Sequence, residues 1–217
     1  MLMQEEREQI VEYGKLASAS GLCPGTSGNF SIYNTGLGLM AISPSGMDYA
    51  QIRPEDVVVS DLNAHVVDGS RKPSSEWALH SIFYCRRPEA RAIVHTHSLY
   101  CTTLGIVGEP LRAVHYVLAD AGTDLVPLVP YRLFGTEELA EAAVEACGEG
   151  RAVLLANHGM LAYAGSLKEA YGLAVNLEYV AQLQVQAMRI GRPAVLSREE
   201  MTAVMEKFRH YGQPGEG

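Results

Sequence analysis

Residues 152–163, AVLLANHGMLAY, fall into two apolar runs, Ala152–Ala156 and Met160–Tyr163, broken at Asn157-His158-Gly159. Short apolar runs separated by turn residues predict two strands joined in a hairpin. The pattern recurs upstream. Phe30 and Ile32 alternate with Ser31 and Tyr33, and Gly36 and Gly38 lead into a second run over residues 39–43. Shorter β-type runs follow at 57–60 and 65–67, and residues 92–97 are apolar and partly β-branched. Strands that come in hairpin-like pairs, with helices between the pairs, favour antiparallel neighbours over a doubly wound parallel sheet. The expected fold class is α/β: three α/β/α layers around a central mixed, largely antiparallel sheet.

The helices announce their ends. Within residues 5–19, Ile10, Tyr13, Leu16 and Ala17 recur at helical spacing. A helix over 75–86 is ended by Pro88, and a short one follows over 99–104. Thr136 is suited to cap a helix running to Cys147, with Gly148 as its stop. Ser166 opens a long helix to Ile190, and Ser197 with Glu200 forms a capping box for the last one.

The chain has 217 residues, enough for a well-buried core without staples. No repeat or linker divides it, so residues 1–212 are expected to form one domain and 213–217 a flexible tail. Lys and Arg total 17 against 25 Asp and Glu, a net charge of −8. That balance argues against nucleic acid as a partner, since phosphate binding needs a basic face. No run of about 18 apolar residues is present, so no membrane-spanning helix is expected. The acidic N-terminal stretch MLMQEEREQI is unlike a secretory signal. Cys23, Cys85, Cys101 and Cys147 are widely spaced, which predicts free, mostly buried thiols and a reducing, cytoplasmic location.

The chemistry gathers at His95-Thr96-His97. Residues i and i+2 of a strand share a face, so the two imidazoles converge on one point, as a metal requires. Two hydrogen-bonded histidines are the plainer alternative. His158, at the hairpin turn, is a third candidate ligand or simply a turn residue. Three histidines leave one zinc position open, the arrangement of a catalytic site. Lys72-Pro73-Ser74-Ser75-Glu76 precedes a helix, where exposed N–H groups and two hydroxyls suit an anion. Glu76 either complements the helix dipole or serves as a ligand or base beside the metal. His80, one turn on, is expected to be a core histidine or a support for a ligand. The Gly/Ser/Thr-rich loops around Thr26, Asn29, Ser45 and Gly46 are weaker anion candidates. Tyr116 is a possible proton donor.

In order and spacing, GTSGNFSI, ISPSGM, KPSSEWALH, AIVHTHSLYCT, AVHYVLADAG, PYRLFGTEEL, VLLANHGMLAY and KFRHYG resemble the class II aldolases of the L-fuculose-phosphate aldolase type. The resemblance implies zinc-dependent retro-aldol cleavage of a ketose 1-phosphate to dihydroxyacetone phosphate and a short aldehyde. It implies His95, His97 and His158 as zinc ligands, with manganese or cobalt as possible substitutes. Glu76 is implied as resting ligand and proton-transfer base, and Tyr116 as a proton donor from a neighbouring subunit. Thr26, Asn29, Ser45, Gly46, Ser74 and Ser75 fall on phosphate-binding positions, and Phe134 and Tyr211 on the aldehyde end. The family implies a homotetramer with sites between subunits. A Schiff-base lysine is not needed: of Lys15, Lys72, Lys168 and Lys207, only Lys72 falls in a motif. Asp120 and Asp124 depart from the small residues of fuculose-type sequences. The HTHS motif also resembles the superfamily's epimerases and dehydratases, so pentulose-phosphate 4-epimerase, methylthioribulose-phosphate dehydratase and decarboxylase are enzymatic alternatives. An adducin-head-like interaction module is the non-catalytic one.

Overall fold

The computed structural model describes residues 1–210. Tyr211 and the tail at 213–217 lie outside them. The strands of the main sheet are β1 (Asn29–Asn34), β2 (Leu39–Ile42), β3 (Val58–Ser60), β4 (Val66–Asp68), β5 (Ala92–Thr96), β8 (Leu128–Val129), β9 (Ala152–Leu155) and β10 (Gly159–Ala164). They run in the order β4-β3-β2-β1-β5-β10-β9-β8. Every pairing is antiparallel except β8 with β9. β6 (Leu111–Arg112) and β7 (Leu125–Val126) form a separate small ribbon.

Helices cover both faces, so β2, β9 and β10 are apolar on both sides, whereas β1 and β5 carry Asn29, Ser31 and His95 on one face. Their side chains still divide by parity. Ala92, Val94, Met160, Ala162 and Leu154 pack toward α1 (Gln4–Ala19), α3 (Leu99–Ile106), α5 (Leu167–Ile190) and α6 (Arg198–Phe208). Ile93, Leu161, Tyr163, Val153 and Leu155 face α2 (Trp77–Arg86) and α4 (Glu137–Cys147). The three-layer, largely antiparallel fold read from the sequence is the fold observed.

The predicted caps are formed. The side chains of Thr136, Ser166 and Ser197 accept from the backbone N–H groups of Leu139, Glu169 and Glu200, and the Ser197–Glu200 box is closed. Predicted strand and helix ends shift by a residue or two, as end fraying makes usual. The sequence reading did not anticipate β6, β7, β8 or the 3-10 turn at Tyr116–Ala121. Cys23, Cys101 and Cys147 are buried and Cys85 is exposed, all as free thiols. Burial pushes the Cys23 thiol up to about 12. Among the described residues, no helix is long and apolar enough to cross a membrane.

Candidate active site

His95 sits near the end of β5, with Asn29 of β1 opposite it on one side and Leu161 of β10 on the other. It is fully buried. Its Nδ1 lies 2.9 Å from the Met160 carbonyl oxygen. A carbonyl can only accept, so Nδ1 carries the proton and Nε2 presents a lone pair. His97 follows on the same face, and its Nε2 is 3.0 Å from that of His95.

His158 comes from the β9–β10 turn. Two backbone features make this turn possible. Asn157 adopts φ 56°, a left-handed conformation that asparagine tolerates well. Gly159 passes so close to β5 that a Cβ there would stand 2.1 Å from the Thr96 oxygen. The fourth group, Glu76, precedes α2, and its N–H donates to Ser74 Oγ at 3.2 Å.

The three imidazoles stand edge-on to one another, with ring centroids 4.8–5.0 Å apart and planes 75–84° apart. Glu76 Oε2 lies 2.9 Å from His95 Nε2, and Oε1 lies 3.4 Å from His158 Nε2. One ligand atom from each of the four residues falls within 4.8 Å of all the others. Among the described residues, Glu76 Oε1 is buried with no hydrogen-bond donor. Electron-pair donors therefore outnumber the protons available between them, and a cation resolves the shortage. A tetrahedral ion with bonds of about 2.0–2.1 Å spaces its ligand atoms roughly 3.3 Å apart. The separations of 2.9, 3.0 and 3.4 Å suit such an ion. Three imidazoles and a carboxylate suit zinc and its first-row neighbours.

The electrostatics follow from this crowding. Burial pushes the Glu76 carboxyl up, but the imidazoles of His95 and His158 crowded against it outweigh this and hold it well below its usual range. Burial, with His95 and His158 crowded alongside, brings His97 down to about 3.

A cleft of about 330 Å³ opens over the cluster. Thr26, Asn29, Ser45, Gly46, Ser74, Ser75 and Phe134 all line it, with Glu76, His97 and His158. An isolated bridge between Pro44 and Pro73 stitches two of the polar loops together, with Ser45 N–H donating to the Lys72 carbonyl and Ser74 N–H to that of Ser43. Tyr131, Arg132 and Asn157 also line the cleft and were not singled out from the sequence. The first two lie inside PYRLFG, where an aromatic and a cation beside Gly135 are the available signal. Arg132 Nε pairs with Glu138 at 2.8 Å.

Tyr116 does not line its own chain's cleft. Its ring is half exposed, 4.6 Å from that of His115 and 6.1 Å from that of Phe208. Asp120 and Asp124 are also away from the cleft. Asp120 Oδ2 accepts from Asn176 Nδ2 at 2.5 Å, and its carbonyl accepts from Arg151.

Residues 8–185 match the family described as Class II Aldolase and Adducin N-terminal domain. The chain belongs to the class II aldolase family. Class II aldolases are metal-dependent, and this member carries the Glu76, His95, His97 and His158 cluster. Its relatives include the 5-deoxy-D-ribulose 1-phosphate aldolase of Bacillus thuringiensis serovar kurstaki, 49% identical over 98% of this chain and 100% of that one. The L-fuculose phosphate aldolase of Escherichia coli strain K12 is 39% identical over 94% of each chain. A solved L-fuculose 1-phosphate aldolase superposes with a TM-score of 0.93 at 42% identity, covering 96% of this chain and 98% of its own.

Proposed function

We propose that this enzyme cleaves a ketose 1-phosphate whose far end is a methyl group, giving dihydroxyacetone phosphate and a short aldehyde. The observation that carries the reading is the Glu76–His95–His97–His158 cluster at a cleft lined by Thr26, Ser45, Gly46, Ser74 and Ser75. Hydroxyls and backbone N–H groups of this kind suit a phosphate. Tyr131 and Phe134 give the cleft apolar surface for a deoxy terminus. The relatives named for 5-deoxyribulose 1-phosphate and fuculose phosphate support this, because both sugars end in a methyl group.

His95, His97 and His158, with Glu76 in the resting site, would hold a divalent ion, for which we favour zinc. When bound, that ion supplies Lewis-acid stabilisation of negative charge on a substrate carbonyl oxygen. In the condensing direction Glu76 Oε1, the carboxylate oxygen with no hydrogen-bond donor among the described residues, takes a proton from the dihydroxyacetone phosphate carbon that forms the new bond, and in cleavage Glu76 returns it to that carbon. Tyr116, half exposed on its own subunit, protonates the aldehyde oxygen of condensation in a neighbouring copy's cleft, and in cleavage takes that proton back from the hydroxyl that becomes the aldehyde. Apolar side chains exposed near the cleft's rim, Tyr131, Leu133 and Phe134, support such an assembly, for which we favour a homotetramer. The epimerase alternative needs Asp120 to reach the metal, and Asp120 lies away from its own chain's cleft, its carboxylate accepting from Asn176. The adducin-head-like alternative would tolerate loss of the ligand set, and all four residues are present.

The test is product analysis with 5-deoxyribulose 1-phosphate, fuculose 1-phosphate and a pentulose 5-phosphate. Dihydroxyacetone phosphate released from either 1-phosphate is the expected result. Epimerisation of the 5-phosphate, with neither 1-phosphate cleaved, overturns the reading.

A further inference from the structure

Behind Glu76 runs a buried chain of side chains that the reaction itself does not use. Glu76, His80 and Tyr84 recur every four residues along one face of α2 and the residue preceding it. Asn29 and Ser31 recur every two residues along β1, on the face toward α2. Four helical residues rise about 6 Å and two strand residues about 6.6 Å, so the two rows stay in step. The side chains interleave as their spacing requires. Asn29 Nδ2 lies 3.3 Å from Glu76 Oε2, Asn29 Oδ1 lies 2.5 Å from His80 Nε2, Ser31 Oγ lies 2.6 Å from His80 Nδ1, and Tyr84 Oη lies 2.7 Å from Ser31 Oγ.

Chemistry gives the chain one direction. Glu76 is a carboxylate and can only accept, so the Asn29 amide must turn its N–H toward it. Asn29 Oδ1 then faces His80 and needs a donor, which makes Nε2 the protonated nitrogen of His80. Nδ1 is left to accept, so Ser31 spends its single proton there. Tyr84 must in turn donate to Ser31. His80 is fully buried and its neutral form is favoured, as a tautomer fixed on both sides requires.

We infer that Tyr84, Ser31 and His80 form a one-way hydrogen-bonded relay that locks the Asn29 amide against Glu76 Oε2, so that Oε1 is the oxygen left to take the substrate proton. His80 is thus a positioning residue, acting on Glu76 through Asn29. This rests on the proposed role of Glu76 as the base, and it makes Asn29 more than a phosphate contact. One Asn29 N–H is spent on Glu76, and the other remains for a ligand in the cleft.

The test has two arms. In the first, nitrogen-15 NMR reads the His80 tautomer in metal-free and metal-loaded wild-type protein. The Nε2–H form is expected in both. The Nδ1–H form or an imidazolium at neutral pH overturns the relay, and this holds whatever substrate the enzyme proves to use. In the second, His80→Met and His80→Gln are compared on a ketose 1-phosphate. Glutamine can accept from Ser31 through its carbonyl and donate to Asn29 through its amide, whereas methionine can do neither. His80→Met should lower kcat about 10–100-fold, the scale on which a misplaced group loses its advantage. KM should move less than about threefold, as expected when ground-state binding is spared. His80→Gln should recover most of kcat. Equal loss in both variants, or a loss confined to KM, overturns the assignment.

Discussion

Glu76 presents two unlike oxygens to the cleft. Oε2 accepts from Asn29 Nδ2, while Oε1 has no hydrogen-bond donor among the described residues. Glu76→Gln keeps the shape and removes the base, so it should abolish both aldol turnover and solvent exchange of the dihydroxyacetone phosphate proton. Proton NMR in deuterium oxide measures both. Tyr116→Phe should spare much of that exchange while turnover falls by roughly 10²–10⁴-fold, the scale of one acid–base group. If Tyr116→Phe stops exchange as fully as Glu76→Gln, the two residues do not divide the proton transfers. Metal removal acts on the same residues from another side. With three imidazoles and a carboxylate crowded together, a chelator should lower Tm and abolish cleavage, and added zinc should restore both. Calorimetry with and without chelator, beside an activity assay, checks this; full activity in verified metal-free protein would remove the ion from the reaction.

At the scale of elements, the β9–β10 turn carries a ligand only because its backbone nearly touches β5. Gly159→Ala would drive a Cβ into the Thr96 carbonyl, and overpacking of this kind costs about 1–3 kcal/mol or more. His158 moves with the turn, so urea unfolding should show the loss and metal titration a weaker site. The α2–β1 contact gives a pH dependence. Burial brings His80 down to about 3, whereas an unfolded histidine titrates near 6.5. Below pH ~6.5 the unfolded chain binds a proton that the folded chain refuses. The contribution is therefore complete above pH ~6.5 and is lost as pH falls toward 3. From pH 6.5 to 5 it amounts to about 2 kcal/mol. Metal-free wild-type protein should lose that much more stability over this interval than His80→Gln, measured by urea unfolding at both pH values. These elements differ in how legible they were. The hairpin at 152–163 and the caps at Thr136, Ser166 and Ser197 show in the sequence because short-range turn and capping chemistry fixes them. The two-residue strands β6, β7 and β8 do not, since no period fits in two residues and Pro127 and Pro130 read as breakers. Within the cluster, the strand period brings His95 and His97 to one face. That Glu76 and His158 meet them depends on tertiary packing, which spacing alone does not encode. Asn157 carried no pattern of its own.

For the whole molecule, the decisive matter is that Tyr116 lies away from the cleft of its own chain. If it serves a neighbour, Glu76→Gln and Tyr116→Phe subunits, each inactive alone, should regain part of their turnover when mixed, because some clefts then receive a sound residue from each copy. No recovery in verified mixed assemblies would place both residues in one subunit's site. How such copies meet is constrained by the flanks of the sheet. It ends on one side in β4, three residues long, and on the other in β8, two residues long and bracketed by Pro127 and Pro130. Neither flank offers a long row of unpaired N–H and C=O groups as a template for another strand. The sheet is thereby closed to growth by strand addition, which guards the folded enzyme against fibrillar stacking. If copies associate, they are left to join through loops and helices, the parts of the chain that carry Tyr116 and the rim of the cleft.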